Sequence, residues 1–238
     1  MGKVGENIIA ANANWSFGGS TAKEFDEHVK KSIPLYTEGQ ELICQLSDYF
    51  LKDNSQVYDL GSSTGSLLLK LNSWNKSKPN IQYVGVDIEA NMVSFAQSKL
   101  GKSIKNIEYK AEDILTTELK PSDLIICYYT VQFVPPRVRQ ELINRIYQAL
   151  NWGGAFIMFE KVRANDARFQ DIFTGLYTEY KINQGYQPDE ILNKQRSLKG
   201  ILEPFSTQGN LDLLKRAGFV DIVSIAKYIC FEGFLCIK

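Results

Sequence analysis

The segment VYDLGSSTGS, residues 57–66, carries the strongest chemical signal in the sequence. An apolar run closes on Asp59 and Leu60 and passes at once into Gly61, Ser62, Ser63, Thr64 and Gly65. Small residues at a strand-to-helix turn clear side chains away, so that backbone amides at the start of the helix can face a ligand. A dinucleotide pyrophosphate asks for G-x-G-x-x-G. Here Gly61, Ser63 and Ser66 stand at those positions, so two of the three glycines are missing and a ligand without a pyrophosphate fits better. Asp87 ends the run IQYVGVD roughly twenty residues further on, where a carboxylate can accept hydrogen bonds from both ribose hydroxyls. The blander alternative is a tight turn and a helix cap; the order of these features on successive strands favours a nucleoside site.

The elements that must position these residues alternate regularly. Helical spacing of apolar residues predicts helices over 24–31 and 38–51, the second burying Leu42, Ile43, Leu46 and Phe50. Short β-type runs then alternate with helical ones: SQVYDL, a helix from about Ser66, IQYVGVD, a helix over 89–100, NIEYK, DLIICYY, and a helix over 136–150 with Pro136 in its first turn. Asn151 to Gly154 reads as that helix's terminator, and GAFIMFE as the next buried strand. A helix over 166–181 follows, with Phe169, Ile172, Phe173, Leu176, Tyr177 and Tyr180 on one face. Asn210 is expected to cap the next helix, and Gly218 to stop it. The last two β-type runs, FVDIVSIAKY and ICFEGFLCIK, are too close together for a crossover helix and must be antiparallel neighbours. Residues 1–238 therefore read as a single α/β domain. N-terminal helices occupy about 1–52, and a helical insertion at about 164–206 covers the sheet edge where ligands bind.

Composition narrows the classes of partner. With 238 residues and 44% hydrophobic content the chain can bury one substantial core. Its 27 basic side chains equal its 27 acidic ones, so no global positive field collects nucleic acid or seeks an anionic membrane. No apolar run approaches the roughly 20 residues of a spanning helix. Cys44, Cys127, Cys230 and Cys236 lack zinc-like pairing and lie mostly in apolar runs, the usage of reduced cytoplasmic thiols, and no metal is expected.

The turn and the alternation together resemble the class I S-adenosylmethionine-dependent methyltransferases. These have a Rossmann-like, mostly parallel seven-stranded sheet with a C-terminal antiparallel hairpin and helices on both faces, and a D/E-x-G-x-G-x-G turn in which this chain places serine at the middle glycine. The resemblance implies S-adenosylmethionine as cofactor and S-adenosylhomocysteine as product. It also puts Asp113 and Ile114 beside the adenine. From about residue 32 onward the chain is similar to the carboxy-S-adenosylmethionine synthase family, through SIPLY, DLGSSTG, TVQFVPP, RQELINRIYQALNWGGAFIMFEK, KQRSLKGILEP and LLKRAGF. That family makes carboxy-S-adenosylmethionine from S-adenosylmethionine and prephenate. Its ligand contacts correspond here to Tyr36, Gly61, Ser62, Ser63, Asp87, Ile88, Asp113, Ile114 and Arg196, the arginine holding the extra carboxylate. One contact departs: Tyr128 stands where the family has asparagine, and a phenol cannot reproduce an amide's paired donor and acceptor.

Methyl transfer from a sulfonium needs alignment and, for some acceptors, a base. Tyr128 and Tyr129 end the strand beside which methyltransferases place the transferred methyl, and either could simply pack. Glu160 could orient a substrate or act as base, or pair with Lys161. His28, the single histidine, could accept a proton near neutral pH or be a solvated helix residue. Arg196 could hold a carboxylate or make a surface ion pair, and Trp15 and Phe17 could wall an aromatic pocket or belong to the core. The expectation is a methyltransferase acting on a small-molecule acceptor, homodimeric like the family it resembles and free of nucleic acid and membrane. The alternatives are carboxy-S-adenosylmethionine synthesis and non-catalytic nucleoside binding.

Overall fold

The computed structural model describes residues 2–4, 9–13, 21–102 and 104–238. Trp15 and Phe17 lie outside them. Two short strands, β1 (Gly2–Lys3) and β2 (Ile9–Ala10), pair antiparallel ahead of α1 (Thr21–Ser32) and α2 (Tyr36–Phe50). The central layer is a seven-stranded sheet. In chain order its elements are β3 (Gln56–Leu60), α3 (Ser66–Trp74), β4 (Gln82–Asp87), α4 (Ala90–Ser98), β5 (Ile107–Ala111), β6 (Ser122–Tyr128), α5 (Pro136–Ala149) and β7 (Leu150–Lys161). There follow α6 (Ala167–Asn183), α7 (Pro188–Ser197), α8 (Thr207–Ala217), β8 (Asp221–Tyr228) and β9 (Phe231–Ile237). The strand order is β5-β4-β3-β6-β7-β9-β8, parallel from β5 to β7 and antiparallel at β9 and β8.

The period-2 alternation of buried residues divides the core between two faces. Val57, Leu124, Ile126, Ala155 and Ile157 point to the side covered by α2 and α3, where Ile43, Leu68 and Leu71 meet them. Tyr58, Leu60, Ile125, Phe156 and Met158 point to the side covered by α5 and α8, against Leu142, Ile146 and Leu214. Central strands buried on both faces read as continuous apolar runs, and these do.

Three expectations are corrected. Asn210 does not cap α8: Ser206 does, its Oγ accepting the Gly209 amide at 3.0 Å, while Asn210 is buried within the first turn. The apolar stripe that marks the helix begins only at Leu211, a turn after the backbone has become helical. Asn151 to Gly154 does not form a separate terminator, because α5 ends at Ala149 and β7 begins at the next residue, with Gly153 at φ 79°. Within the expected helical insertion the polar stretch after α6 carries α7, begun by Pro188 and by the reciprocal capping of Gln187 and Glu190. The expected apolar face of α6 is split as well. Phe173 and Tyr177 pack on the core, whereas Phe169, Ile172 and Leu176 are about half exposed.

Candidate functional site

A cavity of about 470 Å³ opens at the carboxyl ends of β3 to β7 and is walled on its outer side by residues of α1, α6 and α7. This is where an open α/β sheet presents its loops to ligands. Its lining carries carboxylates on one half, Asp59, Asp87, Glu89 and Asp113 from the ends of β3, β4 and β5. Lysines line the other, Lys161, Lys181 and Lys194 from β7, α6 and α7.

The acidic half is built by the small-residue turn. Gly61 sits at φ 85° and Gly65 at φ 73°, conformations that suit glycine. A Cβ on Gly61 would lie 2.3 Å from Thr130 Oγ1, and one on Gly65 would lie 2.3 Å from the Tyr109 hydroxyl. The glycines thus let the turn press onto protein neighbours; Gly61 also lines the cavity, whereas Gly65 does not. Ser63 takes φ 48°, and its amide donates to Asp87 Oδ2 at 2.8 Å, while the Glu89 amide donates to Oδ1 at 3.0 Å. Asp87 therefore ties the β3 and β4 turns together and faces the cavity. Two polar atoms here, Asp59 Oδ1 and Ser62 Oγ, are buried without a hydrogen-bond partner. Burial and then the charge of Asp87 push the Asp59 carboxyl up to about 7. Asp113 accepts the Leu115 amide at 2.8 Å, and Asp113, Ile114 and Ile88 also line the cavity.

A chain of aromatic rings runs from this half to the lysines. Tyr36 packs 4.9 Å from Tyr128, Tyr128 lies 4.8 Å from Tyr129, Tyr129 6.0 Å from Phe231, and Phe231 5.2 Å from Tyr177. The Tyr128 hydroxyl donates to the Tyr36 carbonyl at 2.5 Å, and burial raises its pKa far above the ordinary phenol value. Tyr128 is a wall residue whose hydroxyl proton is held by the Tyr36 carbonyl. Tyr129 holds φ 63°, a strained conformation for an aromatic residue and of the kind that clusters at functional sites. Its amide donates to the Phe159 carbonyl, anchoring that conformation at the end of β6.

Of the other expected residues, His28 is buried rather than solvated and lines the cavity, its Nδ1 3.2 Å from the Tyr186 hydroxyl. Glu160 is buried but absent from the cavity lining. Its Oε1 accepts the Val131 amide at 2.9 Å, so it braces the turn after β6 from behind. Arg196 is exposed on α7 and outside the lining, its helix presenting Lys194 and Gln195 there instead. Sequence reasoning assigned no ligand role to Lys161 and Lys181. Lys161 follows Glu160 directly and Lys181 closes a helical run, so each read as an ordinary flank of its element.

Residues 51–216 match the family described as a methyltransferase domain. The chain is 36% identical over 224 residues to the carboxy-S-adenosyl-L-methionine synthase of Campylobacter lari, covering 94% of each chain. Among solved structures it superposes on a carbon methyltransferase (TM-score 0.63, 13% identity, 92% of this chain and 59% of that one). It also superposes on human N-acetylserotonin methyltransferase in complex with S-adenosylmethionine (TM-score 0.56, 17% identity, 91% and 59%). The residues present fit that cofactor: Asp59 and Ser62, each with a buried polar atom left unpartnered, line a nucleoside-sized space together with Asp87 and Asp113. The chain belongs to the class I S-adenosylmethionine-dependent methyltransferase superfamily, in the family of the carboxy-S-adenosyl-L-methionine synthases, and is an S-adenosylmethionine-dependent transferase.

Proposed function

We propose that the enzyme transfers the methyl group of S-adenosylmethionine to a small-molecule acceptor held against Tyr128, Tyr129 and Phe231, and that it does so as a cytoplasmic homodimer. The observation that carries this reading is the continuity of one partly enclosed cavity, whose lining runs from Asp59, Ser62 and Asp87 to the aromatic wall. On this reading Asp59, Asp87 and Asp113 hold the cofactor, and Tyr36 and Tyr128 flank the sulfonium, whose positive charge suits aromatic faces. The wall excludes water and aligns the acceptor, which is most of what this chemistry requires. A narrow cavity of this size suits a small acceptor and not a polynucleotide. Free, buried cysteines support a reducing compartment. The half-exposed Phe169, Ile172 and Leu176, at helical spacing on α6, support a self-association face.

A second reading, synthesis of carboxy-S-adenosylmethionine, is favoured by the 36% identity to the Campylobacter lari protein of that name. Tyr128 in place of the family asparagine, and Arg196 outside the cavity lining, weigh against it. Incubation with S-adenosylmethionine labelled in the methyl group, with a metabolite extract or with prephenate, separates the two by mass. Label on a new acceptor is the expected result. A carboxylated nucleoside formed only with prephenate would replace the first reading with the second. Light scattering at micromolar concentration is expected to give twice the chain mass, and a monomer mass would reject the dimer.

A further inference from the structure

Two arginines on α5 direct their guanidiniums at loop carbonyls. Arg139, only 2% exposed, donates through Nε to the Val134 carbonyl at 2.7 Å and through Nη2 to the Gln132 carbonyl at 3.0 Å. Arg145, further along the same helix, donates through Nη1 to the Ile114 carbonyl at 2.9 Å and to that of Leu115, and through Nη2 to that of Thr117. Neither makes an ion pair with a carboxylate of the described residues. Both arginines stand outside the cavity lining, yet the loops they hold supply Asp113, Ile114 and Leu115 to it on one side, and Gln132 and Val134 on the other.

The loop after β5 uses its own donors internally. The Thr116 and Thr117 amides donate to the Asp113 carbonyl at 3.0 and 2.9 Å, and the Leu115 amide donates to Asp113 Oδ1 at 2.8 Å. The later carbonyls of the loop draw their donors from Arg145, and a carbonyl shut away from water is costly without one. A planar guanidinium carries five N–H groups in a fixed fork and can meet several carbonyls at once, which a lysine ammonium on its flexible stem does less well. The Ile114 carbonyl and the Leu115 amide belong to one planar peptide unit. Arg145 therefore grips from behind the same plane that the Asp113 carboxylate grips from the front. Ile114 adds a packed contact, sharing a core cluster with Leu142 and Ile146 of α5.

We infer that Arg145 is a positioning residue for recognition of the base: acting through that peptide plane, it fixes the Asp113 carboxylate where it accepts from an exocyclic amine of the nucleoside. This rests on the reading that sets Asp113 beside the adenine. A base with a carbonyl at that place would set two acceptors against each other. Arg139 holds the other loop, which bears on the glycine turn: a Cβ on Gly61 would lie 2.3 Å from Thr130 Oγ1. It supports the turn that carries the cofactor and has no part in the choice of base.

The test titrates the full-length protein by calorimetry with S-adenosylhomocysteine and with S-inosylhomocysteine, in which a carbonyl replaces the exocyclic amine. The native protein should prefer the adenosyl compound by about tenfold or more. Arg145→Met should reduce that ratio by about threefold or more, whereas Arg139→Met should weaken both ligands by the same factor and leave the ratio at its native value. A purely structural role for Arg145 would lower stability and leave the ratio alone. Arg145→Lys, the milder change, should shift the ratio in the same direction, and it decides the matter if circular dichroism shows the methionine variant unfolded. A native ratio in the folded Arg145 variants, or an equal fall of the ratio in Arg139→Met, would overturn the inference while the cofactor reading stands. A native protein that binds both nucleosides equally would remove Asp113 from the base and the inference with it, and one that binds neither would bring down the cofactor reading as well.

Discussion

Asp59 offers a quantitative test, because its environment ties stability to pH with a definite sign. It is 2% exposed, and burial followed by the charge of Asp87 moves its pKa from an ordinary 3.8 to about 7. The unfolded chain releases this proton near 3.8, and the folded protein keeps it until about 7. Between those values the native state binds more protons than the unfolded state, so stability falls as pH rises. The loss is steepest, about 1.4 kcal/mol per unit, well below pH 7 and flattens as the folded carboxyl itself ionises, so that this group costs about 2 kcal/mol between pH 5 and pH 7 and little more above. Glu160, pushed up to about 8 by burial, adds a decline of the same sign. The variant Asp59→Asn keeps the shape and removes one titration. Urea unfolding of both proteins at pH 5 and pH 8 cancels the Glu160 contribution and the intrinsic cost of the amide. The native protein is expected to lose about 2 to 3 kcal/mol more than the variant over that interval. Cofactor affinity should move the opposite way. A carboxylate that ionises near 7 pairs with a cationic ligand only above that pH, so native affinity for S-adenosylmethionine should fall by up to about tenfold per unit below 7, while the variant binds weakly throughout. Equal pH dependence of stability in the two proteins would refute the account of Asp59 as a desolvated acid.

Asp87→Ala removes the acceptor of the Ser63 and Glu89 amides as well as the expected ribose contact. Affinity for S-adenosylmethionine should drop by about tenfold or more and stability by about 1 to 3 kcal/mol; unchanged affinity by calorimetry would move the nucleoside elsewhere. Gly61→Ala forces φ 85° on a residue whose Cβ would meet Thr130, and chemical unfolding should show a loss above about 2 kcal/mol. Tyr128→Phe loses one hydrogen bond to the Tyr36 carbonyl but keeps the ring, whereas Tyr128→Asn opens the wall. Methyl transfer to the acceptor should therefore fall further in the asparagine variant, and equal rates would show that the ring does not border the reacting groups.

The fold was legible because its signals are periodic and local. Buried parallel strands such as DLIICYY read as unbroken apolar runs, and the final pair of β segments leaves too short a link for anything but a hairpin. The acidic half of the cavity lining was legible for a related reason, since Asp59, Gly61, Asp87 and Asp113 sit at strand ends whose order the chain dictates. The other half was not. Whether Glu160 or Lys161 faces the cavity depends on the pleat of β7, and a one-residue difference sends successive side chains to opposite sides. Lys161 faces the cavity; Glu160 turns behind the β6 loop to Val131. His28 misled in the other direction. Its polar sequence neighbours suggested solvent, but Tyr186, 158 positions away, covers it, and a contact at that separation leaves no mark on local pattern.

Net charge shows most plainly what composition conceals. A balance of 27 against 27 excludes a global field, yet the cavity lining divides its charges by element, with acids at the ends of β3, β4 and β5 and lysines on β7, α6 and α7. In a space of low polarity such a division acts at short range with little screening. On the proposed reading the sulfonium and ammonium of S-adenosylmethionine would be drawn toward the acidic half. This division would then help orient the cofactor within the cavity, and the aromatic chain from Tyr36 to Tyr177 lies between the two sets of charges. The same division explains why the site tolerates a carboxyl as displaced as that of Asp59. Its cost to the free protein is the counterpart of the attraction it exerts once a cation arrives.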